Sequence, residues 1–446
     1  MKKKLFLIIA LFCAAAQGMW ADVVVKNEDE LAQAVKTDGA VISLISDFSL
    51  SQPITIKAAD GSSVSVTINM NGKQLTFPTM MGQTTARCVF IVPKGSVLNL
   101  NDGYIDDVDN RTGNNTEYIA GAIVNNGTAT LTNVAISHCK GLLGGAIKNN
   151  KDATLNLKSC TFDGNEAAKL DNYTGDCGNG GAIWNNGTTN ISKSDAGTYS
   201  IKIQNCNAVN GAAIYNDANG VVTMSNDNTD GSIYNNKATA DGGAIYNLGS
   251  VSLTAKTAVN NNNAGNNAGA IWNSGALSLK GCDVSYNKAK NGAAIYTSGS
   301  DKSVTINGGS MKTNIAYVNG GVIYCDGKVV LDAVTFENNK AQGGDGGAIY
   351  VSPSGDVAIT DNSGIGNKIN NNTATTKGGA IYANGLLAMG SISATANTAN
   401  AGGMIYIDGG GNVTLNANTS LTENIANTQG GAIYDAGTLA SVARLR

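Results

Sequence analysis

The chain has 446 residues, longer than one globular core commonly reaches. Charged residues make up only 14%, against about 25% in an average domain. A formal charge of −3 and just four arginines (Arg87, Arg111, Arg444, Arg446) exclude a basic nucleic-acid footprint. Four prolines exclude a collagen-like chain or a rigid linker.

Residues 1–21 read as a secretory signal. Lys2, Lys3 and Lys4 precede the short apolar run Leu5–Ala16, and small residues follow, with cleavage expected after Gly18 or Ala21. The run is too short to span a bilayer, and no second one of membrane length follows. Phe12 stands where a lipoprotein needs a small residue before Cys13. The expected location is therefore outside the cytoplasm, secreted or on the outer surface of a bacterial cell, with no transmembrane span once the signal is removed.

Residues 22–116 have strand periodicity without a clear repeat. A short amphipathic helix is expected at Glu28–Val35, capping the first exposed edge. Strands are expected at Val41–Leu44, Ile54–Ile56, Val64–Ile68, Cys88–Val92 and Val97–Leu100.

Residues 117–436 carry a phrase of the Gly-Gly-Ala-Ile-Tyr-Asn type twelve times, with gaps of 24 to 36 residues between its isoleucines. Such self-similarity marks a repeat architecture. In the unit Gly242–Ala268 the glycines turn the chain and Ala244–Asn247 forms a short strand. Gly249 breaks it, and Val251-Ser252-Leu253-Thr254 then alternates with period two. A third segment near Val259 ends in asparagines, often as Asn-x-Ala, as at Asn287–Ala289, Asn339–Ala341 and Asn424–Ala426. Three strands and three bends make one coil. The expected fold is all-β, a right-handed parallel β-helix with a short N-terminal capping helix. Coils would stack about 4.8 Å apart, with asparagines laddering at equivalent bends. A propeller needs four strands per blade and periods nearer 40, which these units do not reach. Polar insertions are expected at Lys169–Asn179 and Thr188–Gly197, and residues 437–446 read as an incomplete C-terminal coil.

Phe336-Glu337-Asn338-Asn339 precedes Gly346-Gly347-Ala348-Ile349, and Phe162-Asp163-Gly164-Asn165 precedes Gly180-Gly181-Ala182-Ile183. Elsewhere the Phe is replaced, as by Val284 and Leu421. This pairing resembles the Gly-Gly-Ala-Ile and Phe-x-x-Asn tetrapeptides of the polymorphic outer membrane protein family, over roughly Glu117–Tyr434. The resemblance implies a β-helix of the kind carried by autotransporter adhesins, here expected without their C-terminal barrel. The N-terminal coils look more generally like the pectin-lyase-like superfamily, which holds enzymes and non-enzymes alike.

No catalytic constellation stands out. The polysaccharide-enzyme signatures that the superfamily resemblance would imply are missing, and no metal ligand set or cofactor motif is expected. Asp102, Asp106, Asp107 and Asp109 read as a solvated loop, with calcium as the alternative. His138 beside Cys139 would point to the opposite face of a strand, as a structural histidine. Cys160 and Cys206 are expected at matching places in consecutive coils, either bridged or as small buried residues, with Cys177 as another partner for Cys160.

The candidate binding residues follow the repeat isoleucine. They are Trp184, Tyr215, Tyr246, Trp272, Tyr296, Tyr324, Tyr350, Tyr382, Tyr406 and Tyr434, with Lys148 and Val124 in earlier coils. If Ile points in, its neighbour points out, and an exposed aromatic strip roughly 45 Å long results. It would meet a glycan or protein at a cell surface, or the rings would simply stack on one another. The leading expectation is a secreted or surface-exposed, adhesin-like binding protein and not an enzyme. A polysaccharide lyase or glycoside hydrolase near Asp171 and Asp176, or a purely structural envelope component, is the alternative.

Overall fold

The computed structural model describes residues 22–77, 88–110, 120–170, 175–194, 201–225, 231–254, 256–416 and 419–441. The leader, all four arginines and Asp171 lie outside them. The chain winds into a parallel β-solenoid of about 13 turns, with one helix among the described residues.

One coil comprises Ile245–Asn247, Ser250–Leu253, Thr257–Asn260 and Asn263–Ala264. The fourth strand was not anticipated. Its Asn-x-Ala signal is two residues long, below what periodicity detects, and its alanines form small buried columns such as Ala341, Ala374 and Ala399. Each coil of the repeat pairs in parallel with the next, isoleucine to isoleucine: Ile214 with Ile245, Ile245 with Ile271. The repeat isoleucines from Ile123 to Ile405 are fully buried and share one continuous core with the alternating apolar residues of the second strand.

Both halves of the recurrent phrase have a physical task. The first glycine takes a left-handed conformation, φ +64 at Gly242 and +68 at Gly346. The second lies against the next coil, where a Cβ on Gly347 would sit 2.0 Å from the carbonyl oxygen of Gly379. In Phe-x-x-Asn, Phe162 and Phe336 fill the core at 0% exposure. Asn165 is buried and bonds to the backbone of Cys139 and Ile136, while Asn339 enters a ladder of asparagines.

That ladder runs Asn236, Asn262, Asn287, Asn314, Asn339, Asn372, Asn397, Asn424. Each Nδ2 donates to the next Oδ1, at 3.0 Å from Asn236, 3.1 Å from Asn314 and 2.9 Å from Asn339. The second N–H of the amide donates to a backbone carbonyl, as from Asn314 to Val284 at 2.9 Å. Oδ1 also accepts a backbone N–H, as from Asn287 to Asn314 at 2.9 Å. A side chain that would be costly to bury is thereby saturated. A second ladder follows the isoleucine strands, from Asn125 through Asn149, Asn185, Asn216 and Asn247 to Asn273, with steps of 2.6 to 2.8 Å. Beyond Asn273 its column turns to Thr297, Cys325, Val351 and Ala383.

The residue before each asparagine of the first ladder is left-handed, asparagine itself at Asn235, Asn261, Asn338 and Asn371 (φ +56 to +59), which tolerates this best among residues with a Cβ. Tyr286, Thr313 and Glu423 occupy the same corner at φ +60, +56 and +56.

Two expectations are corrected here. Cys160 and Cys206 do not match. Thr161 pairs with Lys202, which places Cys160 beside Ile201, whereas Glu166 pairs with Asn207, which places Cys206 beside Asn165 in the ladder column. The unequal gap between the coils misled the alignment. All the described cysteines are free thiols. Thr188–Ser192 is no inserted loop but the regular second strand of its coil, paired with Thr154–Lys158 and Val221–Ser225. Its Thr-Thr-Asn start hides the alternation. At the N-terminal end, helix Glu28–Ala34 is capped by Asn27 and buries Leu31 and Ala34 in the core.

Candidate functional site: the aromatic strip

The ten aromatic residues that follow the repeat isoleucine do form one register column. Trp184 pairs with Tyr215, Tyr246 with Trp272, Tyr324 with Tyr350, and Tyr406 with Tyr434. They are not exposed, as the strand alternation had suggested. Eight are half-buried, and Tyr382 and Tyr406 are buried at 5% and 9% exposure. The reason is self-stacking. Rings lie 5.0 Å apart between Tyr215 and Tyr246, 4.1 Å between Tyr246 and Trp272, and 4.7 to 4.8 Å from Tyr296 through Tyr382. Their planes are within 17° of parallel. A ring at that spacing gives both faces to its neighbours. What remains for solvent or a ligand is a row of ring edges and phenolic hydroxyls, so a sugar has no free face to stack upon along these runs. Trp184 instead packs against Leu142 and Leu143.

Two turns border the column. Just before the glycine pair runs a line of amide and carboxylate residues, Asn210, Asp241, Asn267, Asn291, Asn319 and Asp345. They are joined through Oδ1: Asn267 N donates to Asp241 at 2.9 Å, Asp345 N to Asn319 at 2.9 Å, Lys377 N to Asp345 at 3.0 Å. A Cβ on Gly346, next to Asp345, would lie 3.0 Å from the backbone N of Tyr350, so this line abuts the strip. On the other side Asp217 and Asp408 lie just beyond the isoleucine strands, and Asp326 holds the matching place within the longer strand Ile323–Asp332. Burial raises the tyrosine hydroxyls, to about 12 for Tyr246, Tyr296 and Tyr350, and nearby carboxylates such as Asp241, Asp326 and Asp345 add to it.

Two cations lie over rings of the column: Lys148 Nζ is 5.6 Å from the ring centre of Trp184, and Lys377 sits further along. Lys377 Nζ lies 4.5 Å from the ring centre of Tyr406, 5.8 Å from that of Tyr382 and 3.9 Å from Asp408 Oδ1. Tyr382 donates its hydroxyl to Asp408 Oδ2 at 2.6 Å. The ring spacing there opens to 5.9 Å. Sequence reading missed this cluster. Its signal is the single basic residue, Lys377, in a column otherwise dominated by Asn and Asp.

Elsewhere the candidates stay apart. Asp102 Oδ1 accepts from Asn133 at 3.0 Å, and Asp106 holds His138 Nδ1 at 2.9 Å. No group of three His, Cys, Asp or Glu among the described residues could hold a metal ion. His138 is exposed while Cys139 is fully buried, its thiol pushed well above the usual range by burial. Asp176 is exposed, close enough to Tyr215 for its charge to act on that hydroxyl. One recess of about 310 Å³ lies beside the N-terminal helix, lined by Lys36, Lys57 and small or apolar residues, with no carboxylate. No described helix is long and apolar enough to cross a membrane.

The architecture makes this a β-solenoid repeat protein. Within it, the Chlamydia polymorphic membrane protein (Chlamydia_PMP) repeat matches at residues 159–186, 230–248, 333–352, 368–384 and 418–436. Each match contains an apolar residue three before an asparagine (Phe162, Ile233, Phe336, Ile369, Leu421) and the glycine pair that follows. No curated protein matches the chain. A solved L. reuteri structure, "L. reuteri 53608 SRRP", aligns at 13% identity and a TM-score of 0.29, covering 95% of this chain and 98% of that one. A likeness at that level carries no argument.

Proposed function

We propose that the protein is exported by its N-terminal leader and presented at a bacterial surface as a rigid rod that binds a protein ligand along the aromatic strip. The carrying observation is the strip itself: in-register rings whose hydroxyl edges, lined by carboxylates, run along one side of the rod. The repeat type, named for a membrane protein, supports the envelope location. Consumed ring faces favour a polar protein ligand over stacked sugars.

The test is an array of glycans and host-matrix proteins probed with the purified chain, read for binding and for product release together. Saturable protein binding, weakened at least about tenfold when Tyr296, Tyr324 and Tyr350 are replaced by Phe, is expected. Phe keeps the stack and removes only the hydroxyls. New reducing or unsaturated ends would turn the reading to a polysaccharide-active enzyme. Silence in both channels would leave a structural envelope role.

A further inference from the structure

The carboxylates beside the strip carry a charge that the fold does not use. In the line before the glycine pair, Asn210, Asn267, Asn291 and Asn319 sit at the same position as Asp241 and Asp345. Asparagine and aspartate do the same work there, through Oδ1 to a backbone N–H one coil on: Asp241 N to Asn210 at 3.3 Å, Asn267 N to Asp241 at 2.9 Å, Asn319 N to Asn291 at 3.3 Å. An amide oxygen suffices for that bond. Asp326 likewise commits Oδ1, accepting from Ser352 Oγ at 2.6 Å and from Ser354. The second oxygens of Asp241, Asp326 and Asp345 accept no hydrogen bond among the described residues, and all three residues remain half-exposed. An acidic edge without structural need, laid along a row of phenolic acceptors, is complementary to cations.

The molecule carries its own example of what such an edge holds. Lys377 lies against Tyr382, Tyr406 and Asp408, an ammonium held between a carboxylate and two rings. Carboxylates also lie near the strip at Asp241 by Tyr246, Asp326 by Tyr324 and Asp345 by Tyr350, close enough to act on those hydroxyls and with no ammonium contact among the described residues. The Asp241 station and the Asp326–Asp345 station are separated by the four coil steps from Ile245 to Ile349, about 19 Å. An extended chain covers that span in about six residues.

We propose that the strip is the docking surface for an extended basic peptide segment, whose Lys or Arg side chains, about six residues apart, occupy the Asp241 and the Asp326–Asp345 stations as Lys377 occupies the Asp408 station. This rests on the strip being the binding surface. Each ammonium or guanidinium donates to a free carboxylate oxygen and to a phenolic oxygen. Charge pairing at a half-exposed edge makes the contact salt-sensitive and weighted toward fast association.

The test uses the full chain and fluorescein-labelled peptides read by anisotropy. One peptide has two Lys-Arg pairs six residues apart in a Gly-Ser-Thr background. A second has the same composition with the pairs adjacent, and a third has glutamate in place of the basic residues. The variants are Asp241→Asn, Asp345→Asn and their combination with Asp326→Asn. The first two copy residues already present in the column, so circular dichroism and melting temperature should match the parent. The expected result is binding of the spaced basic peptide, weaker binding of the adjacent one, and none of the acidic one. The triple variant should lose about tenfold in affinity, and the parent should lose a similar factor on raising salt. Equal binding of all three peptides, unchanged affinity in the triple variant, or no binding of the spaced peptide at millimolar concentration overturns the proposal. If the chain captures a protein on the array but fails these peptide tests, only the basic-segment inference falls. If it captures nothing on either, the binding reading falls with it.

Discussion

At the scale of single residues, the solenoid is held by positions whose chemistry is saturated in one exact way, and by others that settle for less. Asn314 is of the first kind. Its side chain donates to Asn339 and Val284 and accepts from both the backbone and side chain of Asn287. Asn314→Ala strands these buried partners, and a loss of about 3 kcal/mol is expected. Asn424→Ala, at the half-exposed end of the same ladder, should cost less than half as much in the same denaturant titration. Thr313 is of the second kind, a β-branched residue at φ +56. Thr313→Asn matches Asn235, Asn261, Asn338 and Asn371 at that corner and should stabilise by about 1 kcal/mol. A melting temperature that fell would show that the corner is not strained.

At the scale of elements, the period and the strands were legible because buried isoleucines recur and the second strand alternates, as in Val251 and Leu253 against Ser250 and Ser252. Two-residue strands left no periodic trace. The matching of Cys160 with Cys206 failed because insertion lengths differ between neighbouring coils, so counting from a motif does not give register; only the backbone pairing does. For the strip, alternation correctly separated Ile from Tyr but could not tell an exposed ring from one shielded by its stacked neighbours, since stacking depends on the coil above and below. That shielding has a measurable consequence. Tyr246, Tyr296 and Tyr350 hold their protons to about 12, while Cys160 and Cys206, fully buried, also rise to about 12. In the unfolded chain thiols ionise from about pH 8.5 and phenols from about pH 10. The folded state therefore binds more protons across that interval. Stability is full below about pH 8.5 and falls as pH rises toward 12. Denaturant midpoints that stayed level from pH 8 to 11 would contradict this.

At the scale of the whole molecule, each coil meets only its neighbours, so stability is spread along the rod. Excising Gly320–Asp345 joins Asn319 to Gly346 and moves Ile349 into the place of Ile323, keeping every column in phase. The shortened chain should keep its β-sheet circular dichroism and unfold at a slightly lower denaturant concentration. Removing Gly320–Asp332 alone takes away half a coil, and that chain should fail to fold cooperatively.

A tape of near-identical coils has an addressing problem, because a slip by one whole unit costs little when every unit looks the same. The isoleucine-strand ladder answers it. From Asn125 to Asn273 the column is amide, and from Thr297 onward it becomes increasingly apolar, while the other ladder is unbroken from Asn236 to Asn424. Coils Asn216, Asn247 and Asn273 carry both marks, earlier ones chiefly the first, later ones only the second. The pattern works as a key cut into the rod. A slip of one unit across the change would set Asn247 against Thr297 instead of Asn273 and forfeit their 2.6 Å amide bond, at a cost of about 0.5–1.5 kcal/mol, and the chain is steered back to its own frame.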